Sequence, residues 1–236
     1  MENLTKHDDH ELLEVQSFLS KKLQRRSFLQ YAGAGAAGIA LVAAGCKKDN
    51  SKQIVTDKGA YFGSGDIGIL NFAYALEQLE AAFYIKVIAS QYSGITANEV
   101  ALLTDIREHE VGHREFFKAA LSANAIGPLE VDFSSIDFGN RASVLGAAKS
   151  FEDLGVSAYN GAGKLIKDPN YLTLAGKIVS VEARHAALIR DLLVNGTFAD
   201  DLDSNSLDIE RLPPAVLAIA GKYIKTKINA SDLPTS

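Results

Sequence analysis

The 236-residue chain carries a formal net charge of −5, is 47% hydrophobic and has no tryptophan. That balance gives no reason to expect nucleic-acid binding and fits a soluble protein of one domain or two small ones. Cys46 is the only cysteine, which excludes an intramolecular disulfide, a multi-cysteine metal knuckle and a rubredoxin-type iron centre.

The first element in chain order is a targeting segment at residues 1–46. Arg25-Arg26-Ser27-Phe28-Leu29 resembles the twin-arginine export signal. The apolar run from Tyr31 to Ala44 that follows is shorter than the about 20 residues of a membrane span. It ends at Ala43-Ala44-Gly45-Cys46, which is similar to a lipobox, with Ala43 where Leu is usual. Acylation of Cys46 would anchor the protein to a membrane, and the export signal makes it periplasmic or membrane-anchored. Residues 47–65 read as a polar tether, 66–226 as the folded domain and 227–236 as a tail.

The domain reads as helices. Segment A, about 66–92, places Leu70, Ala73, Glu77, Glu80 and Tyr84 on one face at three- and four-residue steps. Segment B, about 97–124, opens with Thr96-Ala97-Asn98-Glu99, a capping-box pattern. Segment C, about 141–166, has Asn140 as N-cap and stops before Asp168-Pro169. Segment D, about 170–194, ends at Asn195-Gly196, and a short helix at about 213–225 starts on Pro213-Pro214. The links from A to B and from C to D are short, so each pair forms an antiparallel hairpin. Between B and C, roughly fifteen extended residues reach about 50 Å. That is enough to run back along a bundle about 37 Å long. The spacing therefore predicts an all-α fold: two helical hairpins joined by a long crossover, the ferritin-like four-helix arrangement, with a short fifth helix.

A half-motif occurs twice along these helices. Glu77, with Tyr84 two turns on, precedes Glu110-Val111-Gly112-His113; Glu152, with Tyr159 two turns on, precedes Glu182-Ala183-Arg184-His185. Residues at i and i+3 share a helix face, so each Glu-x-x-His aims a carboxylate and an imidazole at one region. With Glu77 and Glu152 from the other two helices, each of two metal ions obtains one imidazole, one terminal carboxylate and a share of two bridging carboxylates. Four ionised glutamates balance two divalent cations. Without metal, the same carboxylates among Leu, Ile and Val would be buried, mutually repelling charge. Carboxylate and imidazole donors without thiolate suit iron or manganese.

Glu80 shares the face of Glu77, but Glu77 is favoured as ligand by the repeat, because the position in C matching Glu80 is Gly155. Glu80 is then a partner for a ligating histidine. Tyr84 and Tyr159 either hydrogen-bond the terminal carboxylates or relay electrons, or are core aromatics with satisfied hydroxyls.

Residues Leu70 to Tyr84 and Val181-Glu182-Ala183-Arg184-His185-Ala186 resemble the bacterial ferritin-like domain family, some of whose members are described as desiccation-related. The likeness covers about residues 66–225. It implies a di-iron or di-manganese carboxylate centre in which Glu110 and Glu182 bridge while Glu77, His113, Glu152 and His185 are terminal, and a protein that handles O2 or H2O2 or binds metal in envelope stress protection. A non-enzymatic stress protein with a purely structural metal site is the alternative. His109-Glu110-Val111-Gly112-His113 also spells the zinc-protease signature. The second copy has Val181 before its glutamate, so the repeated element is Glu-x-x-His alone, and His109 reads as a surface residue or a supporting one.

Overall fold

A computed structural model describes residues 59–235; Arg25, Arg26, Cys46 and most of the expected tether lie outside them. Four long helices follow a two-residue strand β1 (Ala60–Tyr61): α1 (Gly65–Ala89), α2 (Ala97–Leu121), α3 (Arg141–Gly163) and α4 (Pro169–Leu193). A short α5 (Pro213–Ala220) and strand β2 (Ile228–Asn229) complete the chain. Among the described residues no helix is long and apolar enough to cross a membrane.

Capping chemistry sets the helix starts. At α2 the Thr96 hydroxyl accepts from Glu99 N–H (3.2 Å) while the Glu99 carboxylate accepts from Thr96 N–H (2.9 Å), the reciprocal box read in the sequence. Asn140 and Asp168 cap α3 and α4 through their side-chain oxygens, and Pro169 fills the first position of α4. The capping residues also settle the topology. Arg141 at the start of α3 donates to Glu99 at the start of α2 (2.7 Å) and to the Leu192 carbonyl at the end of α4 (2.7 Å). Three helix ends therefore meet at one end of the bundle, α2 and α3 run the same way, and the order is up-down-down-up.

That order needs the chain to return along the whole bundle between α2 and α3, and it does so through a buried crossover. Ile126, Phe133, Ile136 and Phe138 of this link are core residues. Phe83 of α1 packs edge-on against Phe133 (5.8 Å between ring centres) and Phe151 of α3 (4.9 Å). Two amides of α1 hold its first part. Asn71 donates to the Phe62 and Asn124 carbonyls and accepts from Ile126 N–H (2.9 Å), and Gln78 accepts from Leu129 N–H (2.9 Å). Burying the crossover on α1 leaves these backbone groups without water, and the amides take its place.

Two expectations change. Helix α1 is buried nearly all round from Gly68 to Tyr84 rather than on one face, because α2, α3 and the crossover all cover it. The folded unit also extends past residues 66–226. β1 and β2 pair in parallel, with Ala60 N–H donating to the Lys227 carbonyl (2.7 Å) and Phe62 N–H to the Asn229 carbonyl (3.0 Å). Such pairing is made by backbone and leaves little pattern in the side chains.

Candidate metal centre

Helix register alone brings six side chains to the middle of the bundle. Glu77 comes from α1, Glu110 and His113 from α2, Glu152 from α3, and Glu182 and His185 from α4. The four carboxylates are fully buried and His185 nearly so, while His113 keeps 14% of its side chain exposed. Two groups of potential ligand atoms form, each within 4.8 Å: Glu77, Glu110, His113 and Glu182; and Glu110, Glu152, Glu182 and His185. Glu110 and Glu182 belong to both.

The contacts follow a two-fold pattern. His113 Nδ1 lies 2.8 Å from Glu182 Oε1, 3.4 Å from Glu77 Oε2 and 3.8 Å from Glu110 Oε2. His185 Nδ1 lies 2.8 Å from Glu110 Oε1, 3.4 Å from Glu152 Oε2 and 3.5 Å from Glu182 Oε2. Each shared glutamate thus turns one oxygen to each imidazole. The tyrosines complete the pattern crosswise: Tyr84 of α1 donates to Glu152 Oε1 of α3, and Tyr159 of α3 donates to Glu77 Oε1 of α1. Both tyrosines are buried core aromatics whose hydroxyls are spent on the terminal carboxylates.

These tyrosines leave one oxygen of Glu77 and of Glu152 without a hydrogen bond, and among the described residues no hydrogen bond is made to the oxygens of Glu110 and Glu182. Among the described residues, eleven buried side-chain polar atoms lack a hydrogen-bond partner; eight are Glu77 Oε2, Glu152 Oε2, both oxygens of Glu110 and of Glu182, and Nδ1 of His113 and His185. Buried polar groups are normally satisfied. The approaches of 2.8 Å are not aligned as hydrogen bonds. They match two donors each about 2.1 Å from one ion at right angles, which stand about 3 Å apart. The donor set therefore fits two cations, with four protein atoms for each.

The electrostatics of the cluster without metal agree. Burial, reinforced by the charge on Glu182, pushes Glu110 up to about 8 despite the neighbouring imidazoles. Burial likewise raises Glu77 and Glu152. Burial works against charged His185, but Glu110, Glu152 and Glu182 outweigh it and push the imidazole up to about 12; His113 is raised in the same way. Glu182 is also penalised by burial, yet His113 and His185 bring it down to about 2. Protons, shared across the set, do the work that divalent cations would do.

A family model described as ferritin-like domain matches residues 65–195. The chain belongs to the ferritin-like domain family. No curated protein matches it at a significant level. The matched span runs from the start of α1 to just past α4 and contains all six residues, so the buried acidic and histidine cluster belongs to the ferritin-like bundle itself.

Of the supporting residues, Glu80 differs from expectation. Glu80 is buried but lies within 4 Å of no imidazole nitrogen, so the expected pairing with a ligating histidine does not form. Its carboxyl instead rests against α3 at Gly155, where a Cβ would stand 2.9 Å from Oε1. Burial, and then the charges of Glu110, Glu182, Glu77 and Glu152, hold it well above the usual carboxylate range. His109 is outside both ligand groups and faces the outer nitrogen of His185 (2.9 Å). The two-histidine zinc arrangement spelled by residues 109–113 therefore does not assemble. The Val181 at the matching place in α4 was the sequence signal against it.

Proposed function

We propose that this protein binds two divalent metal ions, iron or manganese, and handles O2 or H2O2 at them in the cell envelope. The single observation that carries the reading is the set of eight buried, unpartnered donor atoms converging from four helices. Glu110 and Glu182, common to both ligand groups, would be shared by the two ions, with Glu77 and His113 holding one and Glu152 and His185 the other. Iron and manganese prefer about six oxygen and nitrogen ligands. Four protein donors per ion leave positions free for an exogenous molecule, as in catalytic rather than closed structural sites. When bound, such metals supply one-electron redox chemistry toward O2 or peroxide.

The chain's own residues set the conditions for that chemistry. Tyr84 and Tyr159 fix the terminal carboxylates, so that only Oε2 of Glu152 and of Glu77 is presented inward. Leu76, Leu103 and Ile106, all buried, belong to the same stretches of α1 and α2 and keep this part of the bundle dry. Of the six residues His113 is the most exposed, which favours its side for the approach of a small molecule. Arg25-Arg26 directs export by the twin-arginine route, a path suited to a protein already folded around its metals, and Cys46 carries the lipid anchor.

Metal analysis of protein matured in its own host tests the site. Two equivalents are expected in wild type, dropping sharply in both Glu110→Ala and Glu182→Ala. One equivalent, indifferent to Glu182→Ala, would overturn it. Mixing the iron- or manganese-loaded protein with O2 or H2O2 tests the chemistry. Consumption of the oxidant with a change in metal oxidation state is expected; loaded metal that stays divalent and consumes nothing would leave a site of structural use only.

A further inference from the structure

The two imidazoles of the cluster are alike on their inner side and unlike on their outer side. His185 turns Nδ1 to the carboxylates, while its Nε2 lies 2.9 Å from Nδ1 of His109 on α2. The ring planes of His109 and His185 are inclined by only 10°, with centres 5.2 Å apart. That separation exceeds the N···N distance by about one ring width. The rings therefore lie edge to edge in nearly one plane, the arrangement in which a ring N–H points straight at a ring lone pair. A metal at Nδ1 of His185 uses that nitrogen's lone pair and leaves the proton on Nε2, so His185 donates and His109 accepts.

Among the described residues, no side chain serves the outer nitrogen of His113 as His109 serves that of His185. By the two-fold pattern, the residue placed to serve it from α4 is the one before Glu182, and that is Val181. We propose that His109 is a positioning residue for one half of the centre only, and that it makes the two metal positions unequal. At the Glu152 and His185 position the imidazole is held in its ligating orientation before metal arrives. At the Glu77 and His113 position it is not. Outer partners of this kind affect metal affinity by about 10- to 100-fold when removed. The inference rests on the di-metal reading above.

Manganese(II) titration followed by calorimetry and electron paramagnetic resonance tests it on wild type, His109→Ala and His109→Asn. Asn is the informative replacement, since its side-chain oxygen stands where Nδ1 stood and accepts the same bond. Wild type is expected to bind two equivalents. His109→Ala keeps one and loses affinity for the other by about 10- to 100-fold, so that a mononuclear manganese signal persists at ratios that give a dinuclear one in wild type. His109→Asn restores the second equivalent. Thermal unfolding of the metal-free variants checks that the bundle stays folded; His109→Ala should lose no more than the one hydrogen bond to His185, since His109 itself is exposed. Two unchanged equivalents in His109→Ala, equal weakening of both, or failure of Asn to restore binding would overturn the proposal and leave the di-metal reading standing. Wild type that binds no manganese or iron would overturn both.

Discussion

Glu80 of α1 occupies the space that Gly155 of α3 leaves by having no side chain: a Cβ at 155 would stand 2.9 Å from Glu80 Oε1. The two residues hold matching places in the repeated half-motif, three after Glu77 and three after Glu152. The near two-fold bundle thus has room for one extra carboxyl, not two. Gly155→Ala meets only the far end of the Glu80 side chain, which must shift slightly, and gains helix propensity, so its stability should stay within about 1 kcal/mol of wild type. Gly155→Leu should cost about 1–3 kcal/mol through overpacking. Chemical denaturation of the metal-free variants measures both.

The raised Glu80 carboxyl also predicts a pH dependence. Its pKa is higher folded than unfolded. The metal-free fold is therefore favoured below the ordinary glutamate range and progressively disfavoured as pH rises toward the folded value. Glu80→Gln removes the group that must ionise. Metal-free Glu80→Gln should lose less stability than wild type as pH is raised, and parallel curves would contradict this.

Removing one tyrosine hydroxyl should affect one half of the centre. Tyr84→Phe leaves Glu152 Oε1 buried without its donor, and Tyr159→Phe does the same to Glu77 Oε1. Each should cost about 2 kcal/mol of stability. Tyr84→Phe should weaken the metal position that uses His185, and Tyr159→Phe the one that uses His113. Paired metal titrations and denaturation curves measure the split.

Metal uptake should release protons. His185 is pushed up to about 12 and His113 is raised with it, so both are imidazolium in the metal-free protein at neutral pH. Their contribution to the metal-free fold is present below the ordinary histidine value and lost only as pH rises through the folded one. Each ion must displace at least one proton, and affinity should rise by about tenfold per pH unit for each proton displaced. Calorimetry in buffers of different ionisation enthalpy counts them.

At the other end of the range, Glu99 is held below the usual carboxylate value by the Thr96 N–H, with Arg141 assisting. That stability is present above the ordinary glutamate range and lost as pH falls through the folded value. Thr96→Ala should cost about 1 kcal/mol at neutral pH. Glu99→Gln should flatten the acid limb of the stability profile, as read by thermal melts across pH.

Much of the fold and of the site is legible in the sequence. Helix spacing and caps mark four helices and a fifth, the length of the B–C link implies the crossover, and the repeat picks six residues that do meet. What the sequence left obscure depended on partners far along the chain. Asn71 and Gln78 read as ordinary polar residues in an apolar helix until the crossover carbonyls and N–H groups are placed against them. Sharing the face of Glu77 suggests for Glu80 the common role of a carboxylate behind a ligating histidine; only the packing of α1 on α3 shows that Gly155 makes its room. The tyrosines carried no sign that each serves the glutamate of the other hairpin.

That crosswise wiring has a consequence for assembly. One ligand group draws on α1, α2 and α4, the other on α2, α3 and α4, and each terminal glutamate takes its hydroxyl donor from the opposite hairpin. Neither hairpin holds a complete set of donors. On the di-metal reading, filling both positions would require that the two halves have found each other, so full loading would report a finished bundle.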